Sequence, residues 1–169
     1  MPAAVKPEAQ DAAAPFVGDK APDFTLPALG AATDTVRLRD LLDHWVVLYF
    51  YPKDNTSGCT VEACDFRDSF ATLKRAGALV VGVSRDSLKS HQSFQTKHDL
   101  PFILAADEDG ATCQAYGVWV GKSMYGRSYM GIERSTFLID PKGRIHHLWR
   151  KVKIPGHVQD VLEVMNKGK

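Results

Sequence analysis

Cys59 and Cys64 are two of the three cysteines in this 169-residue chain. They sit five positions apart in the stretch FYPKDNTSGCTVEAC, which runs from Phe50 to Cys64. A thiol can serve as nucleophile, metal ligand, disulfide partner or small apolar filler. The spacing is not the C-x-x-C of redox and zinc pairs. The surroundings favour reactivity. WVVLYFY, from Trp45 to Tyr51, is a β-branched and aromatic run that reads as a strand buried on both faces. Pro52 ends it, a knot of turn-forming residues follows, and from Cys59 the periodicity becomes helical through Ala63, Phe66, Phe70 and Leu73 to a stop at Gly77. Thr56 or Ser57 can cap the start. Cys59 is then placed in a first helical turn, where unpaired N–H groups and the helix dipole favour an anion such as a thiolate. Cys64 falls about one and a half turns later, on the same helix but another face.

A zinc site needs about four ligands. The remaining cysteine is Cys113, no histidine lies near Cys59 in sequence, and His146 and His147, adjacent on a strand, point to opposite faces. A metal centre is therefore disfavoured. A buried, inert thiol stays open for Cys59 and is the preferred reading for Cys113 in ATCQAYGV.

These residues must be held by a fold. The length suits one domain, and 44% apolar with 24% charged residues is ordinary globular composition. A formal net charge of +1 suggests neither a nucleic-acid nor a membrane-surface partner, and no apolar run approaches the ~20 residues of a membrane span. The first fifteen residues, rich in Ala and Pro and carrying Glu8 and Asp11, read as a loosely ordered tail rather than a secretory signal, with a single domain over 16–169. Few cysteines and no signal point to a cytoplasmic setting. APDFTLPAL reads as a short edge strand or extended segment and TVRLRDLL as a strand running into a helical turn. ALVVGVS, PFILAAD and RSTFLID are strands, and PKG turns the last into RIHHLWR. SLKSHQSFQTKH, ATCQAYGV and PGHVQDVLEVMNK are helices, the last with Val158, Val161, Leu162 and Met165 on one face. Alternating βα units give a largely parallel core, and the closing hairpin makes the sheet mixed. A βαβ half followed by a ββα half is the thioredoxin-like order, so the fold class is α/β with a central mixed sheet flanked by helices.

Pro52, Thr56 and Cys59 stand at the spacing P-x-x-x-[TS]-x-x-C, and with PDFTLP, FRD, DEDG, YGVW and GIERSTFLID the chain resembles the peroxiredoxins, specifically their PrxQ, or bacterioferritin comigratory protein, branch. The resemblance spans roughly residues 16 to 166. It implies a thiol peroxidase that reduces hydrogen peroxide and organic hydroperoxides in antioxidant defence. Cys59 would be the peroxidatic thiolate. Thr56 would hold its hydroxyl near thiolate and peroxide, Pro52 would cover the pocket, and Arg134 would support the thiolate by charge and hydrogen bonds. Cys64 would be the resolving cysteine, forming an intrachain disulfide that thioredoxin or a similar dithiol reduces. No cofactor or metal is implied, and an intrachain pair removes the chemical need for a dimer, so a monomer is expected. Arg67, in FRD, reads as structural and paired with a carboxylate, and Arg85 as solvated. A C-x-x-C disulfide reductase, a copper carrier and a non-enzymatic redox-sensing or holdase protein are the rival readings. Trp119 and Tyr125 lie in a Gly-rich segment that could border the site.

Overall fold

The computed structural model describes residues 14–169, so most of the expected N-terminal tail lies outside the described residues. The strands are β1 (Thr25–Leu29), β2 (Thr35–Arg37), β3 (Trp45–Phe50), β4 (Ala78–Ser84), β5 (Ile103–Ala106), β6 (Trp119–Met124), β7 (Arg127–Ile132), β8 (Ser135–Ile139) and β9 (Ile145–Trp149). The helices are α1 (Ser57–Asp68), α2 (Phe70–Arg75), α3 (Leu88–His98), α4 (Ala111–Ala115) and α5 (His157–Lys167), with a short 3-10 turn at Leu38–Asp40.

Seven strands form one sheet in the order β2-β1-β5-β4-β3-β8-β9. β3, β4 and β5 are parallel, whereas β8 runs antiparallel to β3, β9 to β8, and β1 to β5. The expected mixed sheet with flanking helices is present. β3 lies inside the sheet and alternates between two cores. Val46, Leu48 and Phe50 face one layer with Phe24, Tyr116 and Phe137. Val47, Tyr49 and Tyr51 face the other with Cys59, Ala63, Phe66, Phe94 and Val161. Burial on both faces is why the run carries no polar alternation. Phe66 stacks on Tyr49 with ring centroids 4.6 Å apart, joining α1 to the sheet. Truncating such a ring to Ala costs about 3–5 kcal/mol.

Three details depart from the sequence reading. β1 is not an edge strand but lies between β2 and β5. Its Pro27 is tolerated because pairing with β5 involves only Ala28 and Leu29. The helix expected to run on to Gly77 is interrupted at Ser69, which closes α1 and opens α2. β6 and β7 form a separate two-stranded hairpin that the sequence reading did not contain. Its turn places Tyr125 at φ 53 and Gly126 at φ 78, the left-handed pair that tight hairpins require.

Candidate active site

Two strand ends and one helix start build the site. In the β3–β8 pairing Phe50 lies opposite Ser135, so the start of β8 stands beside the end of β3, where the chain leaves for α1. Arg134, one residue before β8, is thereby carried to the first turn of α1, and its carbonyl is held by the N–H of Val152 at 3.0 Å. Arg134 Nη2 donates to Cys59 Sγ at 3.3 Å, and Nη1 donates to Glu62 Oε1 at 2.6 Å. Gly58 leaves room for this approach, since a Cβ there would stand 3.3 Å from Arg134 Nη2. Cys59 is 1% exposed and packs in the core layer with Ala63 and Phe66.

Glu62 is also 1% exposed, and among the described residues its Oε2 accepts no hydrogen bond. Burial pushes its carboxyl up to about 7, against the downward pull of Arg134. Burial works to lower Arg134, but Glu62 and Cys59 outweigh it, so the guanidinium is held firmly cationic. Lys122, on β6, is lowered first by burial and then by Arg134, while Cys59 acts on it in the opposite sense. A second cation therefore lies within electrostatic reach of the thiol. Sequence reasoning missed both Glu62 and Lys122. A lone glutamate on a helix carries no local mark of burial, and nothing in the sequence shows that the hairpin brings Lys122 within electrostatic reach of Cys59.

Pro52 is half-buried and lines a cavity of about 400 Å³ together with Lys53, Arg85, Trp119, Lys122 and Met130. Trp119 thus shares a cavity with Pro52 and Lys122, whereas Tyr125 is 97% exposed at the hairpin tip. Arg85 is more than solvated: Nε and Nη2 donate to Glu108 O at 3.2 and 2.9 Å, and its guanidinium lies 4.5 Å over the Trp119 ring. Thr56 occupies the N-cap position of α1 but does not cap it. Its hydroxyl donates to Lys53 O at 2.9 Å, and among the described residues no hydrogen bond joins it to Cys59.

Cys64 is half-buried, shares the unbroken α1 with Cys59, and is a free thiol, as are Cys59 and Cys113. Cys113 is fully buried, and burial followed by Asp107 pushes its thiol well above the ordinary range, as an inert packed cysteine requires. Arg67 pairs with Asp68 at 3.0 Å and donates to His98 O at 2.9 Å, the structural role expected of it. No described helix is long and apolar enough to cross a membrane.

Residues 17–148 match the AhpC/TSA family. The chain is 53% identical over 146 residues to a putative peroxiredoxin bcp of Coxiella burnetii, covering 86% of this chain and 95% of that one. It is 49% identical over 149 residues to peroxiredoxin Bcp of Bacillus subtilis, covering 88% and 94%. Among solved structures, peroxiredoxin Q of Xanthomonas campestris superposes with a TM-score of 0.80 at 45% identity, over 85% of this chain and 90% of that one. A structure of X. campestris bacterioferritin comigratory protein, described in terms of its alkyl peroxide reduction activity, gives 0.80 at 44% identity, over 86% and 91%. The thiol beside a half-buried arginine at a helix start, the thioredoxin-like sheet and these relatives converge: the chain belongs to the AhpC/TSA family and, within it, to the Bcp/PrxQ branch of the peroxiredoxins, the thiol peroxidases.

Proposed function

We propose that Cys59 is the peroxidatic residue, Cys64 the resolving residue, and thioredoxin or a similar dithiol the reductant, in a chain that works as a cytoplasmic monomer. The observation that carries this reading is the 3.3 Å hydrogen bond from Arg134 to Cys59 Sγ at the start of α1. A guanidinium and the free N–H groups of a helix start both favour the thiolate over the thiol. Attack of the thiolate on one peroxide oxygen forms the S–O bond and breaks the O–O bond; the other oxygen departs as water or alcohol with the peroxide's own proton, and the Cys59 sulfenate left behind takes a proton from solvent to become sulfenic acid. Arg134 and the N–H groups of the first turn meet the negative charge that develops on the oxygens. Thr56 has committed its hydrogen to Lys53 O, so its oxygen has lone pairs free to accept the O–H of the incoming peroxide. Pro52, at the edge of the adjoining cavity, excludes bulk water. Cys64 thiolate then attacks the Cys59 sulfenic acid sulfur, forming the S–S bond and breaking the S–O bond, and the hydroxyl leaves as water after taking a proton from solvent; an external dithiol reduces the disulfide by exchange. Hydrogen peroxide and organic hydroperoxides are both substrates in this reading. The X. campestris relative associated with alkyl peroxide reduction supports the second class.

Coupled oxidation of NADPH through thioredoxin reductase and thioredoxin, with hydrogen peroxide as substrate, tests the assignment. C59S should lose turnover while keeping the wild-type circular dichroism. Wild-type turnover in that variant would refute the role of Cys59.

A further inference from the structure

Six residues, Tyr51 to Thr56, join β3 to α1, and among them lies Asp54, a carboxylate 5% exposed that the chemistry above does not use. Every part of it is tied down. Oδ1 accepts from Tyr51 OH at 2.6 Å. Oδ2 accepts from Ser90 Oγ at 2.9 Å and faces His91 Nδ1 at 2.7 Å. The main-chain N–H of Asp54 donates to Asp86 Oδ2 at 2.8 Å, and Asp86 is itself fixed by Ser84 Oγ at 2.7 Å. His91, on α3, is fully buried, and its other ring nitrogen faces Ala105 O of β5 at 2.9 Å. A carbonyl only accepts, so Nε2 carries a hydrogen. Nδ1 faces Oδ2 directly, with Tyr51 OH 3.4 Å away. Asp54, Asp86 and His91 have ligand atoms within 4.8 Å of one another, but these atoms are engaged in the hydrogen bonds just given, so the cluster reads as an anchor and not as a cation site.

The anchor sits at the turn that leads from β3 into α1. Asn55 follows Asp54 at φ 63, a left-handed turn conformation that Asn adopts more readily than other non-glycine residues. Thr56 and α1 come directly after, and Pro52 lies two residues before. We propose that the buried Asp54–His91 pair is a positioning device for peroxide reduction: by tying the 52–56 loop to α3 and β5, it sets where Pro52, Thr56 and the first turn of α1 stand relative to Arg134. The pair touches none of the reacting atoms. Without it the loop still closes the chain, but the thiol and its donors lose their common frame, and displacements of about 1 Å are enough to cost about a hundredfold in rate.

This inference rests on Cys59 being the attacking thiol. D54N and H91Q are compared with wild type and C59S, at a temperature well below each variant's melting point. Three quantities are read: kcat/KM for hydrogen peroxide, kcat/KM for thioredoxin, and the rate of Cys59 alkylation at pH 7. The expected result is a loss of about tenfold to a hundredfold in the peroxide step and slower alkylation, with the thioredoxin step unchanged. A purely structural role would lower the melting point and move neither the peroxide step nor the alkylation. Folded variants with wild-type peroxide rates, beside an inactive C59S, overturn the positioning role alone. Turnover in C59S overturns the site assignment instead. If D54N and H91Q do not fold, S90A decides the matter. It keeps the pair but removes one donor to Asp54, and should slow the same step about fivefold. A wild-type rate in S90A then overturns the proposal.

Discussion

Forming the Cys59–Cys64 disulfide should unwind the first half of α1. Both cysteines lie in one continuous helix, Ser57–Asp68. Five residues advance ~7.5 Å along a helix axis and turn ~140°, which with a Cα radius of ~2.3 Å separates the two Cα atoms by roughly 8–9 Å. A disulfide accepts about 4.4–6.8 Å. The bond therefore cannot close while both residues remain helical. Opening the segment gives up main-chain hydrogen bonds such as Thr60 N–H to Thr56 O at 2.9 Å, together with the Arg134 bonds to Cys59 and Glu62. Roughly five main-chain bonds at ~1 kcal/mol net each amount to about 5 kcal/mol of local stability, or on the order of a thousandfold in amide protection. Hydrogen exchange read by mass spectrometry over Thr60 to Phe66 measures this directly. Peroxide-treated protein is compared with reduced protein, and α3 is the internal reference. Equal protection in the two states, with the disulfide verified by intact mass, would refute the geometric argument.

C64S should still add oxygen at Cys59 on peroxide treatment, while thioredoxin-supported turnover collapses and overoxidation rises. A C64S protein that gains no oxygen by mass spectrometry would break the division of roles. R134M should slow both alkylation of Cys59 at pH 7 and sulfenate formation by tenfold or more, the loss of about 1.5–3 kcal/mol for a hydrogen bond to a charged group. Unchanged rates would reduce Arg134 to a partner of Glu62. E62Q reports on the buried carboxyl. Its folded pKa, raised from 4.5 to about 7, means that the folded state keeps a proton the unfolded state releases. Its contribution to stability is full below about pH 4.5 and is lost as pH rises through 7, by about 3 kcal/mol. Chemical denaturation from pH 4 to 8 should show this slope in wild type relative to E62Q, and parallel profiles would contradict it.

The buried elements were legible in the sequence because their apolar patterns are local. β3 and β4 are unbroken apolar runs, and α5 shows its buried face at helical spacing. Cys59, Thr56 and Pro52 could be named from a motif within eight residues, and Arg134 from the family's second motif. What stayed hidden depends on tertiary approach. Glu62 looks like a surface glutamate until β8 brings Arg134 over it. Asp54 and His91 are 37 residues apart and meet only because α3 packs beside the 52–56 loop. The β6–β7 hairpin escaped because most of its residues are exposed, so no apolar alternation marks it. The stop at Ser69 escaped because Phe66, Phe70 and Leu73 keep their helical spacing across it.

That single non-helical residue acts as a firebreak. A helix is a cooperative chain in which disorder at one end tends to spread until an interface stops it. At Ser69, with φ −100 and ψ 3, the chain leaves helical geometry for one position, and Leu73, fully buried, anchors α2 independently beyond it. Melting that starts at Cys59 therefore meets a domain wall before it reaches the crossover into β4. In the proposed cycle, the strand-to-strand connection would thus hold a segment remade at each turnover next to a segment pinned by Leu73.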